Sequence, residues 1–242
     1  MSLSVETLRR HRDSLIVLGS FGASLLVGAG IIALYGVNPL EAYGDMISGA
    51  LGDSDALVAT LARMVPIALA TLSIAVAFNG GMWNIGAEGQ LYVGAFAAAW
   101  IGLVLPKLPG IMLMPLGLTA GIAAAAFWAW IPGVLSLRRG LNIVVLTIML
   151  NSLGIYLTSA LVTGPYAGTN VAAGATDKIP EAMRFVHLSD FSTLNTGIFV
   201  ALGAVICISL VMLRTVPGYD WRMCRMNPRF ARYGGVAVAG RQ

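Results

Sequence analysis

Six stretches of the chain, at roughly 14–36, 57–78, 86–105, 111–134, 143–163 and 196–213, are each apolar for about the 20 residues that a helix needs to cross the hydrocarbon core of a bilayer. With no water in that core, every backbone N–H and C=O must be paired inside the protein, which makes helices the expected form of such runs. The fold class expected is therefore all-α: a polytopic transmembrane helical bundle of about six spans, with no soluble catalytic domain. Loops between the runs are short except for 37–56 and 164–195, which are long enough for interfacial helices or a cap.

Composition agrees. Hydrophobic residues make up 57% of the 242 and charged residues 11%, against about 25% charged in an ordinary soluble domain. Twenty-nine glycines and 11 methionines suit closely packed membrane helices. Cys207 falls in an apolar run and Cys224 in a basic segment, with neither metal-type spacing nor a plausible disulfide between them. The first apolar run is as long as a full span, so it is expected as a retained anchor rather than a cleavable signal peptide.

The positions of the charges say more than the net +4, which by itself would suggest nucleic acid. With the N-terminus placed in the cytoplasm, eleven of the fifteen Lys and Arg residues fall inside: Arg9, Arg10, Arg12, Arg138, Arg139, Arg214, Arg222, Arg225, Arg229, Arg232 and Arg241. Three fall outside (Lys107, Lys178 and Arg184), and Arg63 lies within a span. The acids lean outward, with Glu41, Asp45, Asp53, Asp55, Asp177, Glu181 and Asp190 on that side. Cytoplasmic loops carry the excess of Lys and Arg, so six spans with both ends in the cytoplasm are expected.

Three places depart from plain membrane helix. In Phe78-Asn-Gly-Gly-Met-Trp-Asn-Ile-Gly-Ala-Glu-Gly-Gln90, glycines and amides separate one apolar run from the next. Such a segment is either a cytoplasmic turn, with Glu88 favourably placed at a helix N-terminus, or a broken helix of the kind that builds transporter sites. On the second reading Asn79, Asn84, Glu88 and Gln90 would hydrogen-bond a solute, with Trp83 as a stacking surface or an interfacial anchor. Arg63, about six residues into its span, either snorkels to the outer interface, or lines an outer vestibule or pairs with an acid in the 37–56 loop. Finally, Asn227-Pro228 reads as an N-cap and first-turn pair and Gly234-Gly235 as a stop. The short helix between them would carry Phe230 and Tyr233 on one face and Arg229 and Arg232 on another. It would either dock into a partner or only touch anionic lipid.

There is no Gly-Lys pair and so no phosphate-binding loop of the Walker type. His11 and His187 fall on opposite sides of the membrane in this topology. An ion-coupled secondary transporter or channel would want ionisable residues deep in several spans, where Arg63 and Glu88 alone qualify. A membrane-embedded enzyme would want clustered His, Asp or Glu at membrane depth, which the spans lack.

Asn84-Ile-Gly-Ala-Glu-Gly-Gln90, Ile131-Pro-Gly133, Leu146-Thr-Ile-Met-Leu-Asn151 and the stretch containing Thr215, Gly218, Arg222 and Asn227-Pro228 through Ala231-Arg232-Tyr233 occur in that order. Together they resemble the permease subunits of bacterial ABC importers of the branched-chain amino acid and ribose type, nearest the branch associated with nucleosides, riboflavin and simple sugars. The chain departs from that pattern at Ile143, where the family often has an acid, and at Arg225, Phe230 and Gly234, where small residues are usual. Members continue with further spans, so the chain resembles one truncated at its C-terminus.

The resemblance implies one transmembrane permease domain over 1–242, in the bacterial inner membrane, with a cytoplasmic coupling segment at 214–236. Asn227, Pro228, Phe230, Ala231, Arg232 and Tyr233 would couple it to ATPase subunits that bind the ATP and Mg, this chain carrying no cofactor. A second permease subunit, homo- or heterodimeric, would complete the pathway, an extracytoplasmic solute-binding protein would deliver solute, and lipid, not nucleic acid, would surround the spans. The solute would be small and polar, a nucleoside or related compound. The topology is checked by labelling: cysteines introduced at 138 and at 222 should both react with an impermeant thiol reagent from the cytoplasmic face, and reaction from opposite faces would overturn the arrangement.

Overall fold

The computed structural model of the chain describes residues 2–169, 174–188, 193–236 and 238. Asp190 and Arg241, two of the charges that bear on the topology, lie outside the described residues. The described residues are all-α. Helices run over α1 Ser2–Leu34, α2 Pro39–Leu51, α3 Ser54–Asn79, α4 Ala87–Val104, α5 Gly110–Arg139, α6 Ile143–Thr163, α7 Gly197–Arg214, α8 Val216–Met226 and α9 Pro228–Tyr233, with a single 3-10 turn at Glu181–Met183. Six of them are long and apolar enough to cross a membrane: Ser14–Leu34 of α1, and α3, α4, α5, α6 and α7. These lie within a few residues of the six apolar stretches of the sequence. Their outward surfaces are greasy all round, with residues such as Leu26, Ile67, Ile122 and Leu202 more than half exposed. Water could not tolerate such helices, whereas lipid or a partner span could.

The chain divides into two compact units, 1–61 and 62–242. In the first, α2 begins on an N-cap: the Asn38 side chain accepts from Leu40 N (3.0 Å) and donates to Glu41 Oε1 (3.1 Å), with Pro39 in the first turn. Tyr43 Oη donates to Leu25 O of α1 (2.7 Å), and Thr60 Oγ1 to Ala50 O (2.8 Å). The 37–56 connection thus holds a helix, one of the two forms expected of it.

In the second unit, α4, α5 and α6 pack against one another. Small residues let their backbones approach, as is usual where lipid supplies no hydrophobic drive between helices. A Cβ on Gly94 would stand 3.0 Å from Gly121 O, and one on Gly121 would stand 3.0 Å from Gly94 O, so α4 and α5 meet backbone to backbone. The helix α5 stops at Gly140, whose φ of +66° suits glycine, and α6 starts soon after, with Asn142 Oδ1 accepting from Val144 N (2.9 Å). At the far ends of α4 and α5 the 3-10 turn closes over them. A Cβ on Gly102 would meet Met183 Sδ at 2.8 Å, and one on Gly117 would overlap Met183 Cε. A cleft of about 360 Å³ remains beneath, lined by Ala95, Ala98, Met183 and Phe185 among others. The 164–195 connection therefore includes a cap.

Gly121→Leu should lower the melting temperature of the detergent-solubilised protein, because overpacking a close contact costs about 1–3 kcal/mol. Gly133→Leu, at a position where a Cβ meets nothing within 4 Å, should be far milder, and equal effects would count against the backbone contact.

Candidate solute site

The helix α3 ends in a Schellman motif. Gly81, at φ +81°, donates to Phe78 O (3.2 Å) and Met82 N donates to Ala77 O (3.0 Å). The chain then runs non-helically to Gly86 before α4 begins. Within this break Asn84 Oδ1 accepts from Gly86 N (2.7 Å) and, at 3.5 Å, from Gln90 Nε2.

The break is fastened to α6. Ile85 N donates to Thr147 Oγ1 (3.3 Å), and that hydroxyl donates in turn to Val144 O (3.1 Å). Asn151 makes two bonds: its Nδ2 donates to Ile85 O (2.9 Å) and its Oδ1 accepts from Gly89 N (2.8 Å). Thr147 is fully buried. A Cβ on Gly89 would stand 2.8 Å from Asn151 Cα, and one on Gly154 would stand 3.1 Å from Gly89 Cα. Trp128 of α5 donates from Nε1 to Leu150 O (3.2 Å), tying the third helix in. Thr147 and Asn151 come four and eight residues after the start of α6, about 6 and 12 Å along it at the usual rise. Residues 85–89 are therefore level with the second and third turns of α6, not beyond its end.

A cleft of about 820 Å³ opens beside the break, lined by Asn84, Trp130, Pro132, Arg138, Ile143 and Trp221 among others. Arg138 is the one charged residue among those lining it. The Asn84 side chain spends its oxygen on the break and has no bond from its amide nitrogen among the described residues, so it offers a donor at the cleft.

The candidate solute residues are thus dispersed. Asn84 lines the cleft, and Gln90 is buried behind it. Trp83 is exposed, with its ring 5.0 Å from that of Phe78. Glu88, in the first turn of α4, is exposed and has no partner among the described residues. Asn79 is engaged elsewhere: its Nδ2 donates to Ala75 O (2.8 Å) and its Oδ1 accepts from Arg225 Nη1 (3.3 Å). Arg63 is exposed on α3, three residues before Pro66.

In the 214–236 segment, Asn227 Oδ1 accepts from Arg229 N and Phe230 N (both 3.1 Å), and Pro228 opens α9. Phe230 and Tyr233 are exposed, Tyr233 almost completely, and Arg232 is exposed. Ala231 is instead buried with Cys224 and Val238 in a small core, against which Met223 and Val236 pack. That core holds α9 to α8.

Sequence reasoning assigned no site role to Thr147, Asn151, Trp130 or Trp221 and did not foresee α8. A signal for the first two was present: Thr147, Asn151, Gly154 and Thr158 recur at helical spacing as a polar and small stripe through an apolar span.

A polar, hydrogen-bonded break between two apolar helices, beside a cleft, is an arrangement that membrane transport components use. Residues 56–241 match the family described as branched-chain amino acid transport system / permease component. The chain belongs to that family, whose members are transport components of the inner membrane and not enzymes. It is 30% identical over 237 residues to the nucleoside ABC transporter permease of Lactococcus lactis, covering 95% of this chain and 65% of that one. It is 29% identical over 236 residues to the guanosine ABC transporter permease of Bacillus subtilis, covering 96% and 67%. To the glucose ABC transporter permease of Haloferax volcanii it is 31% identical over 231 residues, covering 89% and 59%. The chain thus spans about two thirds or less of the length of these relatives. No solved structure matches it.

Asn151→Leu keeps the volume but leaves Ile85 O and Gly89 N without their partner, at about 1–3 kcal/mol per orphaned group. Its thermal stability in detergent should fall well below that of Leu153→Ala on the exposed face of α6; equal losses would show that the break is not held by Asn151.

Proposed function

We propose that the chain is the permease subunit of an ATP-driven importer for nucleosides or related solutes, and that the 80–90 break belongs to the solute pathway. One observation carries the proposal: an amide-rich, non-helical segment, level with the second and third turns of α6 and hydrogen-bonded to it, presents Asn84 to a cleft of about 820 Å³. Irregular backbone at membrane depth is tolerated where it is buried in protein or lines a watery cavity. The lining combines two indoles and apolar side chains with one amide and one guanidinium. That mixture suits a solute with a planar apolar face and a polar edge, as a nucleobase has, better than a hexose with hydroxyls all round. Two relatives are named for nucleoside substrates and one for glucose.

On this reading Asn84 donates to the solute, Gln90 orients Asn84, and Glu88 and Trp83 meet solute or the second permease subunit where they are exposed. The 214–236 segment faces the cytoplasm and presents Phe230, Arg232 and Tyr233 to an ATPase subunit that carries the ATP and Mg. A binding protein delivers solute from the opposite face. ATP-driven closure changes the packing around the cleft, and release follows from the lower affinity of one of two states.

The test is uptake of labelled guanosine by vesicles holding the assembled transporter. Excess unlabelled nucleoside should compete and excess glucose should not; the reverse would overturn the solute assignment. Glu88→Ala should lower uptake more than membrane abundance. Arg232→Glu should leave the subunit inserted but uncouple ATP hydrolysis from uptake, and unchanged transport would count against the coupling role.

A further inference from the structure

The segment from α7 to α9 contains a mechanical joint that the motifs do not record. At one end, α8 is seated on α7: Thr215 caps it, accepting from Gly218 N at 3.5 Å, and a Cβ on Gly218 would run into Val211 O and the Met212 backbone. At its other end Arg225 reaches the last residue of α3, donating to Asn79 Oδ1 at 3.3 Å. A guanidinium at that place also meets the negative end of the α3 dipole. Trp221 stands one turn before Arg225, so the two share a face of α8, and Trp221 is a wall of the cleft. Cys224, beside Trp221 and Arg225 on α8, is fully buried with Ala231 of α9. From the exposed Phe230 and Tyr233 an unbroken set of contacts therefore leads through α9 and α8 to the cleft and to the residue where the 80–86 break begins.

The geometry points to α8 as a movable wall of the cleft, latched shut by the Arg225–Asn79 hydrogen bond. Displacing α9 pulls on α8 through the Cys224–Ala231 core. The α7–α8 turn resists, because Gly218 has no room, so the motion is taken up at the Arg225 end. Breaking that bond withdraws Trp221 and opens the cleft where α3 and α5 end. Arg225 acts here as a positioning residue: it touches Asn79 and not the solute. The inference rests on the reading of 214–236 as the coupling segment, and it does not depend on which solute is carried.

The experiment uses the complete transporter, reconstituted, with Cys207→Ser as background and Trp221→Cys as reporter; the native Cys224 is buried. Without nucleotide, the reporter should react slowly with a water-soluble maleimide. ATP with vanadate should change that rate, and no change would reject the coupling reading while leaving the latch to be judged on the next comparison. Adding Arg225→Ala should raise the nucleotide-free rate several-fold, Arg225→Lys should stay near the parent, and Asn79→Ala should match Arg225→Ala. The double variant should exceed neither single change. A nucleotide-free rate unaffected by Arg225→Ala, or single effects that add in the double variant, would overturn the latch. Should Arg225→Ala fail to assemble, Arg225→Gln is judged by the same criteria.

Discussion

Where the chain leaves helix between α3 and α4, backbone groups lose their helical partners, and the rest of this site depends on how they are paired. Asn151 does most of it, with its amide nitrogen on Ile85 O and its oxygen on Gly89 N, while Thr147 takes Ile85 N. A carboxamide both donates and accepts from fixed positions, and here it pairs two backbone groups without bringing a charge to them. The pairing is possible only because Gly89 and Gly154 let α4 and α6 come within reach, a Cβ on either glycine falling about 3 Å from the opposing backbone. Satisfied in this way, the break presents the Asn84 amide as a donor, positioned by the bonds its oxygen accepts from Gly86 N and Gln90 Nε2.

Features with local causes were legible in the sequence. Span length is a sum over about 20 neighbouring residues, and the helices follow the apolar stretches to within a few residues, apart from α5, which continues to Arg139. Its last two residues are basic and complement the end of the dipole, which apolarity alone does not register. The Asn227-Pro228 cap and the Gly235 stop, at φ +83°, are local as well. The helix α8 was not legible. Its sequence mixes glycine, proline, aromatic and arginine residues, and it is held by Thr215, by the contact of Gly218 with α7 and by Arg225 on Asn79, partners up to 146 positions away.

The site divides in the same way. The polar break was recognisable because glycines and amides are out of place between apolar runs, but which amides face the cleft depends on tertiary pairing. Asn79 ends a helix and its side chain goes to Ala75 and Arg225. Gln90 is buried behind Asn84, and Glu88 turns outward. Trp130 and Trp221 reach the cleft from two helices that the sequence separates by some ninety residues. Such residues look like ordinary interfacial aromatics until the fold brings them together.

The departure at Ile143 bears on what the cleft accepts. Asn142 caps α6, so the next side chain belongs to the first helical turn, and Ile143 lines the cleft that Arg138 also lines. An acid at 143 would add a negative charge to that wall near the N-terminus of α6, where the dipole favours it. With isoleucine there, the guanidinium is the one charge among the lining residues, and it is not balanced by a carboxylate on the same surface. Arg138 is itself exposed, so water screens its charge and its influence on the cleft is modest. If the cleft takes solute as proposed, this wall weakly opposes a cationic solute and not a neutral one that presents acceptor atoms. On the proposed function, a purine nucleoside, neutral near pH 7 and edged with carbonyl and ring-nitrogen acceptors, would meet the Asn84 donor and the Arg138 guanidinium together.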